Sequence, residues 1–193
     1  MLKIGITGGI GSGKSVVCRI LESLGYPVFY SDAEAKVITS NHPEVQSGLI
    51  ERYGEVIYLN GELNRTLLSE KIFNSTREKT YVNDLIHPKV REAFDLFTTK
   101  SKAPFIFNEA AILFETGSFK QFDKTFLVTA SEELRIQRFM KRDNCAAEAV
   151  RVRMNSQWSD EKKIPLADAV IINNGQRSLL KQIEETLKTI SAG

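Results

Sequence analysis

The feature that most constrains this chain is the sequence GGIGSGKS at residues 8–15, which follows directly on the apolar run of residues 2–7. Its spacing, G-x-x-x-x-G-K-S, is typical of loops that wrap nucleotide phosphates between a buried strand and a helix. Glycines in such a loop let backbone amides approach phosphate oxygens without a Cβ in the way. We therefore expect a parallel strand at residues 2–7, then a phosphate loop, then a helix beginning near Lys14.

Each polar side chain of the phosphate loop (residues 8–15) has a chemical use. The Lys14 ammonium supplies a point charge to the β- and γ-phosphates, and the Ser15 hydroxyl is a ligand for Mg²⁺. The helix that follows directs its positive end at the same anion. The alternative is an ordinary glycine turn between a strand and a helix. The predicted nucleotide-binding residues here are Gly8, Gly11, Ser12, Gly13, Lys14, Ser15 and Val16.

The rest of the pattern predicts an α/β fold with about five parallel strands and helices on both faces. From Asp32 to about Lys102 strand-like runs are scarce and helical runs follow one another, which indicates an insertion covering one end of the sheet. Within it, His87-Pro88 is interpreted as a break between two helices. Later, residues 141–160 separate two helices where a lid would fit. The further strand-like runs lie at 27–30, 104–107, 125–128 and 169–172.

Charge and composition exclude several classes of protein. The 193 residues suit one domain, and 26 Lys and Arg against 24 Asp and Glu give a net charge of +2, which argues against a protein built chiefly to grip nucleic acid. The two cysteines, Cys18 and Cys145, have no metal-type spacing and suggest no disulfide framework. No signal peptide or long apolar run is seen, so we expect a cytoplasmic monomer without membrane or nucleic-acid partners.

Two carboxylates follow predicted strands, where ligands of open α/β sheets bind. Asp32 comes just after the second strand and can accept a proton from an attacking hydroxyl or order the shell of Mg²⁺. It can equally serve as the N-cap of the next helix. Glu109 ends the third strand and is either the acidic partner of Mg²⁺ or a polar residue at a strand end. Both pairs of alternatives stay open at this point.

The candidate cations and the histidine also carry two interpretations each. Arg135, Arg138 and Arg142 share one helix face, where a guanidinium on a mobile lid would stabilise a transferring phosphoryl group. The alternative is a solvated basic face. Arg65 begins a helix, the unfavourable end for a cation, so an anionic partner is expected, although a neighbouring glutamate would suffice. His87 either caps a helix or contacts the substrate.

Taken together, these residues resemble the dephospho-CoA kinase family. The resemblance implies transfer of the ATP γ-phosphate to the ribose 3′-hydroxyl of dephospho-CoA, the last step of coenzyme A synthesis, with Mg²⁺ accompanying ATP. The strings that carry it run the whole chain in order: Ile6-Thr7 into GGIGSGKS, Asp32, Asn64-Arg65 before Ile72-Phe73, Ile86-His87-Pro88, Ala111-Ile112-Leu113-Phe114-Glu115, Arg142-Asp143, Gln157, Ala167-Asp168 and Asn173-Asn174-Gly175.

The same resemblance implies a three-layer P-loop NTPase fold and assigns roles. The core spans about 1–31, 103–140 and 165–193, a helical insertion at about 32–102 binds the CoA moiety, and a lid spans about 141–164. Asp32 is the base or hydroxyl-orienting group and an Mg²⁺ ligand through water. Lys14 and Arg142 are catalytic, and Arg142, Asn174 and Gly175 complete the ATP site. The implied substrate contacts are Asp32, Arg65, His87 and Glu109.

Two departures from the family pattern and three competing classes qualify this interpretation. Tyr30 stands where relatives often carry a carboxylate, so Asp32 must act without that neighbour, and Ala111 replaces a proline in a turn. Shikimate, gluconate and nucleoside monophosphate kinases share the fold and the loop. A GTPase-type switch is disfavoured because the chain contains neither Asp-x-x-Gly nor Asn-Lys-x-Asp. A nucleic-acid-dependent ATPase is disfavoured by the near-neutral charge.

Overall fold

The computed structural model describes residues 1–191, so that residues 192–193 of the predicted core lie outside it. The chain divides into two compact units. The first unit comprises Met1–Phe29 and the described residues from Ser101 onward, and the second comprises Tyr30–Lys100. Among the described residues, none of the helices combines the length and the apolar character that crossing a membrane requires.

The first unit is built on a mostly parallel five-stranded sheet, as predicted. In chain order, the strands of the described residues are β1 Leu2–Thr7, β2 Val28–Tyr30, β3 Tyr58–Leu59, β4 Glu62–Leu63, β5 Phe105–Glu109, β6 Lys124–Thr129 and β7 Ala169–Ile172. The sheet has the order β2-β5-β1-β6-β7. The central strand β1 pairs in parallel with β5 and β6, so that Ile4 lies opposite Phe107 and Lys124. Ile4 and Ile6 of β1 are fully buried, as expected for a strand covered on both faces.

Helices of the first unit flank this sheet: α1 Lys14–Ser23, α6 Glu132–Asp143, α7 Ala147–Asn155, α8 Asp160–Lys163 and α9 Leu179–Ser191. The second unit contains α2 Ser31–Asn41, α3 Pro43–Tyr53, α4 Arg65–Phe73 and α5 Thr76–Thr99. Helix α1 buries Val17, Cys18 and Leu21. Burial, reinforced by the nearby charge of Glu109, raises the pKa of the Cys18 thiol to about 12. Cys18 is therefore an inert core residue.

The second unit has its own apolar core, and here one prediction was wrong. We predicted that His87-Pro88 would separate two helices, but both residues lie inside α5, a continuous helix of 24 residues. Val82 and Ile86 anchor α5 in this core together with residues of α3 and α4. Tertiary packing of this face offsets the cost of a proline inside a helix, which is about 3 kcal/mol.

A short hairpin also interrupts the helices of the second unit. Strands β3 and β4 pair antiparallel, with Tyr58 opposite Leu63. The two residues between the strands, Asn60 and Gly61, both have positive φ angles, 52° and 81°. An Asn-Gly pair with this backbone is the favoured two-residue connection of a β-hairpin. The Asn60-Gly61 pair is therefore a sequence signal for a hairpin. We did not predict the hairpin because the residues on either side of it have helical patterns.

Candidate active site

The phosphate loop connects β1 to α1, and two of its positions require glycine because other residues lie too close to leave room for a Cβ. Gly11 and Gly13 have φ angles of 75° and 93°. A Cβ on Gly11 would lie 2.3 Å from the backbone oxygen of Arg135, and one on Gly13 would lie 2.1 Å from Asn173 Nδ2. Larger residues would be both strained and obstructed at these positions. The loop geometry thus follows from the glycine pattern on which the sequence argument began.

Lys14 and Glu109 meet beside the loop. Lys14 is the first residue of α1, and its Nζ donates a hydrogen bond of 2.8 Å to the Gly8 carbonyl oxygen. The same Nζ lies 3.9 Å from Glu109 Oε1, at the end of β5, and the two side chains are only 13% and 14% exposed. The structure therefore brings together these two predicted site residues, one cationic and one anionic, next to the start of a helix.

The oxygen donors around Lys14 suit Mg²⁺ when a phosphate is also present. Ser15 is exposed in the first turn of α1, and Glu109 supplies a carboxylate. Magnesium is usually held by one or two protein oxygens together with substrate phosphates and water, rather than by an all-protein cage. In keeping with this, residues 1–191 contain no cluster of three or more His, Cys, Asp or Glu side chains arranged to hold a metal. The donor set therefore fits a nucleotide-borne metal.

Two arginines of α6 bind backbone carbonyl oxygens in other parts of the first unit. Arg135 is buried, donates from Nε to the Ile10 carbonyl oxygen at 2.9 Å, and places Nη1 3.3 Å from Asp160. Arg138 donates from Nη2 to the Asn173 carbonyl oxygen at 2.9 Å. The interpretation of these two residues as a solvated basic face is therefore wrong. Helical spacing showed which residues share a face, but not which element covers that face.

Arg142, the predicted catalytic arginine, lies near the end of the same helix with a 68% exposed side chain. Its Nε lies 2.6 Å from Asp143 Oδ1, and its guanidinium carbon lies 4.6 Å from the centre of the Phe139 ring. The hydrogen bond from Arg142 lowers the pKa of the Asp143 carboxyl. In this structure, Arg142 therefore contacts residues of its own helix.

The residues after β7 lie against the loop and against the start of α6. Asn173 Nδ2 donates to the Ser12 carbonyl oxygen at 2.9 Å. The next residue, Asn174, accepts a 2.9 Å hydrogen bond at Oδ1 from the Ser131 amide, and Gly175 has a φ of 77°. The string Asn173-Asn174-Gly175 thus links the carboxyl end of β7 to the phosphate loop, and Asn173 makes the direct contact.

A cavity of about 790 Å³ lies beyond the carboxyl ends of β6 and β7. Its walls include Thr129 and Ile172 at those strand ends, Arg151 on α7 and the exposed Trp158. The cavity is large enough for a drug-sized ligand. Its lining contains no residue of the phosphate loop itself, although Arg135, Gln157 and Asp160 border it.

Three predicted site residues belong to the second unit and are described within it. Asp32 is an exposed residue in the first turn of α2, whose N-cap is Tyr30, so the alternative role of Asp32 as the N-cap was wrong. Arg65 begins α4, as predicted, and lies 3.3 Å from Ser40 Oγ through Nη2, so its observed partner is a hydroxyl. His87 is partly buried within α5, and burial together with Arg91 lowers its pKa.

Gln157 and Asn173 contact the phosphate loop, although neither was a predicted site residue. Gln157 Oε1 accepts a 2.9 Å hydrogen bond from the Ile10 amide, and Asn173 holds Ser12 as described above. Both residues appeared only within the strings that carried the family resemblance. The contact between Ile10 and Gln157 spans 147 residues, and no local pattern encodes it.

Comparison with known proteins gives a consistent result along the whole chain. A family model described as dephospho-CoA kinase matches residues 2–178. The chain is 43% identical to a dephospho-CoA kinase of Bacteroides fragilis, covering 96% of this chain and 91% of that protein. It is 39% identical to a dephospho-CoA kinase of Porphyromonas gingivalis, with 98% and 95% coverage.

Solved structures agree with the sequence matches. A crystal structure from Thermus thermophilus superposes with a TM-score of 0.89 at 32% identity, covering all of this chain and 98% of that one. A dephospho-CoA kinase from Campylobacter jejuni gives 0.65 at 28% identity, with 98% and 95% coverage. A shikimate kinase from Acinetobacter baumannii, at 19% identity and a TM-score of 0.51, shares the fold alone, with 100% and 94% coverage.

Proposed function

The chain belongs to the dephospho-CoA kinase family, and from that premise we propose how its residues divide the reaction among them. It is an ATP-dependent phosphotransferase of coenzyme A biosynthesis, and the acceptor is the ribose 3′-hydroxyl of dephospho-CoA. The observation that carries this conclusion is the glycine loop with Lys14 and Glu109 beside it, in a chain that matches the family over residues 2–178.

ATP binds through the phosphate loop and the start of α1. Lys14 Nζ exchanges its contact with the Gly8 carbonyl for the β- and γ-phosphate oxygens, where a localised positive charge favours the transferring group. The start of α1 also directs the positive end of the helix dipole at the same phosphates. The loop residues Gly8, Gly11, Ser12, Gly13, Ser15 and Val16 complete the phosphate side, and Asn174 and Gly175 belong to the same ATP site.

The Ser15 hydroxyl and the Glu109 carboxylate would hold the Mg²⁺ that accompanies ATP, and Asp32 would act on it through water. When bound, the ion neutralises charge on the β- and γ-phosphates. Glu109 has a second effect through Lys14, because its carboxylate 3.9 Å from Nζ keeps the ammonium beside the loop before ATP arrives. This arrangement supports a site that is preorganised for a metal–nucleotide complex.

Asp32 accepts the proton of the attacking 3′-hydroxyl, or orients that hydroxyl. The proposal is supported by its exposed carboxylate in the first turn of the helix that follows β2. Because Tyr30 stands where relatives often have a second carboxylate, a single carboxylate carries this role. Arg142 stabilises the transferring phosphoryl group once it exchanges Asp143 for phosphate, and its high exposure makes that exchange inexpensive.

The insertion at about 32–102 binds the CoA moiety. In the lid at about 141–164, the part before Gln157 closes over ATP, while Gln157, Asp160 and Lys163 stay bound to the core. Arg65 offers charge to an anionic group of the acceptor. His87, with its pKa lowered by burial, is neutral at pH 7 and contributes a hydrogen bond and not a charge. We propose further that the enzyme acts as a cytoplasmic monomer on small molecules, with a net charge of +2 offering no strong field for nucleic acid.

An acceptor screen tests the proposed reaction. Purified protein with MgATP is supplied in turn with dephospho-CoA, shikimate, gluconate and nucleoside monophosphates, and ADP formation is measured. We expect that, of these acceptors, only dephospho-CoA gives rapid ADP formation. Steady ATP hydrolysis that needs no acceptor, or transfer to another acceptor at a similar rate, contradicts the proposal.

A pair of variants tests the role of Asp32. Asp32→Asn should lower kcat by about 10²- to 10⁴-fold, the usual effect of losing a general base, while leaving ATP binding nearly intact. Glu34→Gln is a matched control, because Glu34 lies in the same first turn of α2. A loss of only a few-fold in Asp32→Asn, similar to that in Glu34→Gln, would show that another group takes the proton.

A further inference from the structure

Ile10, in the middle of the phosphate loop, has both of its backbone polar groups bound by side chains from distant parts of the chain. Its amide donates to Gln157 Oε1 at 2.9 Å, and its carbonyl accepts from Arg135 Nε at 2.9 Å. The Gln157 side chain also donates from Nε2 to the Ala111 carbonyl oxygen at 3.4 Å, just beyond the end of β5. One side-chain amide thus ties the loop to the segment that follows Glu109.

Gln157 begins a segment that contacts other parts of the first unit at every third residue. We call Gln157–Lys163 the anchor segment. Asp160 accepts hydrogen bonds from Thr129 and from Arg135. Lys163 is fully buried, with Nζ 2.8 Å from Glu115 Oε1. Gln157 lies before α8, and Asp160 and Lys163 are the first and last residues of α8; each of the three contacts a different part of the first unit.

The contacts of Asp160 and Lys163 fix the backbone next to Gln157, and they therefore fix the position of the Gln157 side-chain amide. A loop rich in glycine has little rigidity of its own, and ordering it on binding lowers affinity. The hydrogen bonds of Gln157 and Arg135 to the Ile10 backbone order the loop before ATP binds, which reduces the entropy lost on binding. We propose that Gln157 is a positioning residue for the phosphoryl donor, which presets the phosphate loop through the Ile10 amide; this inference rests on the proposed function.

Replacement by methionine tests this role because it preserves the length of the side chain and removes both hydrogen bonds. Gln157→Met should weaken MgATP and MgADP binding by about five- to tenfold, as expected from a lost hydrogen bond and an unpaired amide. Because the loop still closes once the nucleotide is bound, KM for ATP should rise by a similar factor while kcat falls less than threefold. The KM for dephospho-CoA should not change.

Replacement by glutamate gives a signature that a purely structural residue does not produce. A glutamate has a pKa of about 4.3 and is ionised at neutral pH, so it still accepts from Ile10 but repels the Ala111 oxygen and the phosphates. Gln157→Glu should therefore weaken MgADP binding by about tenfold or more, and by less at high salt, where the repulsion of the phosphates is screened. Gln137→Met, at an exposed position of α6, is the matched control and should match the wild type.

The decisive measurement is the calorimetric affinity for MgADP, which needs no acceptor. Unchanged MgADP affinity in Gln157→Met, or wild-type MgADP affinity in Gln157→Glu, overturns the inference. If Gln157→Met does not fold, the MgADP affinity of Gln157→Glu and its salt dependence decide. If the wild type binds MgADP but does not phosphorylate dephospho-CoA, the proposed function fails while the positioning role is still tested by binding.

Discussion

The buried ion pair between Lys163 and Glu115 allows a direct measure of how much the anchor segment contributes to stability. Lys163 is completely inaccessible to solvent, and the Glu115 side chain is 12% exposed. Glu115 Oε1 also accepts a 3.0 Å hydrogen bond from the Trp158 amide. The Lys163 ammonium approaches Glu115 at 2.8 Å without a well-aligned hydrogen bond, so the attraction is mainly Coulombic. The perturbation is Lys163→Met, which keeps most of the volume and removes the charge.

The magnitude follows from what is left behind. Removing one partner of a buried pair typically costs 3–5 kcal/mol, because the other charge stays buried without compensation. Glu115 keeps the Trp158 amide and some solvent contact, so we expect the lower end, about 3 kcal/mol. For a chain of this length, each kcal/mol lowers Tm by about 2–4 °C, which gives a decrease of about 6–12 °C. Replacing both charges should recover most of this loss, since a neutral pair has no buried charge.

The assay is urea unfolding of Lys163→Met, Glu115→Gln and the double variant. The fluorescence of Trp158, the single tryptophan, reports on the anchor segment. Lys124→Met is the control, because Lys124 and Asp168 lie 3.3 Å apart with 42% and 37% exposed side chains, and such surface pairs contribute less than about 1 kcal/mol. The reasoning is refuted if Lys163→Met destabilises by less than about 1 kcal/mol, or if the double variant loses the sum of both single losses.

Three further predictions use other parts of the chain. Gly11→Ala should weaken MgADP binding at least tenfold, because its Cβ meets the Arg135 backbone, whereas Gly25→Ala, with φ of 87° and open space, should lower stability by about 1–2 kcal/mol without affecting binding. Lys14→Ala should raise KM for ATP and lower kcat together, and a change in only one of them would contradict its proposed role. In the second unit, the hydrogen bond from Arg52 and, to a smaller extent, that from Tyr53 lower the pKa of Glu78 from 4.5 to about 2. Their contribution to the free energy of unfolding is therefore complete above pH 4.5 and is lost as pH falls towards 2. The difference in unfolding free energy between wild type and Glu78→Gln should therefore shrink over that range, and a difference that grows on acidification would refute it.

Sequence alone was sufficient wherever a local pattern has one structural solution. The glycine loop could follow only a strand and open only a helix, and the apolar runs around it formed the predicted parallel sheet. Prediction failed where distant contacts decide the outcome. Pro88 lies inside α5 because α5 packs on α3 and α4, which no local rule for proline anticipates. Likewise, helical spacing grouped Arg135 with Arg142, but only the fold shows that Arg135 binds Ile10 while Arg142 remains exposed.

The order of strands in the sheet has a consequence for synthesis of the chain. Strand β1 is central, yet its partners β5 and β6 begin only at Phe105 and Lys124. A chain emerging from its amino end therefore exposes an apolar strand for about 100 residues before it can pair, while residues 30–100 already contain a complete core of their own. Long-range parallel pairing is slow and leaves such segments open to aggregation. We expect the second unit to form first on the ribosome, and the nucleotide loop to become competent only after β6 has been made.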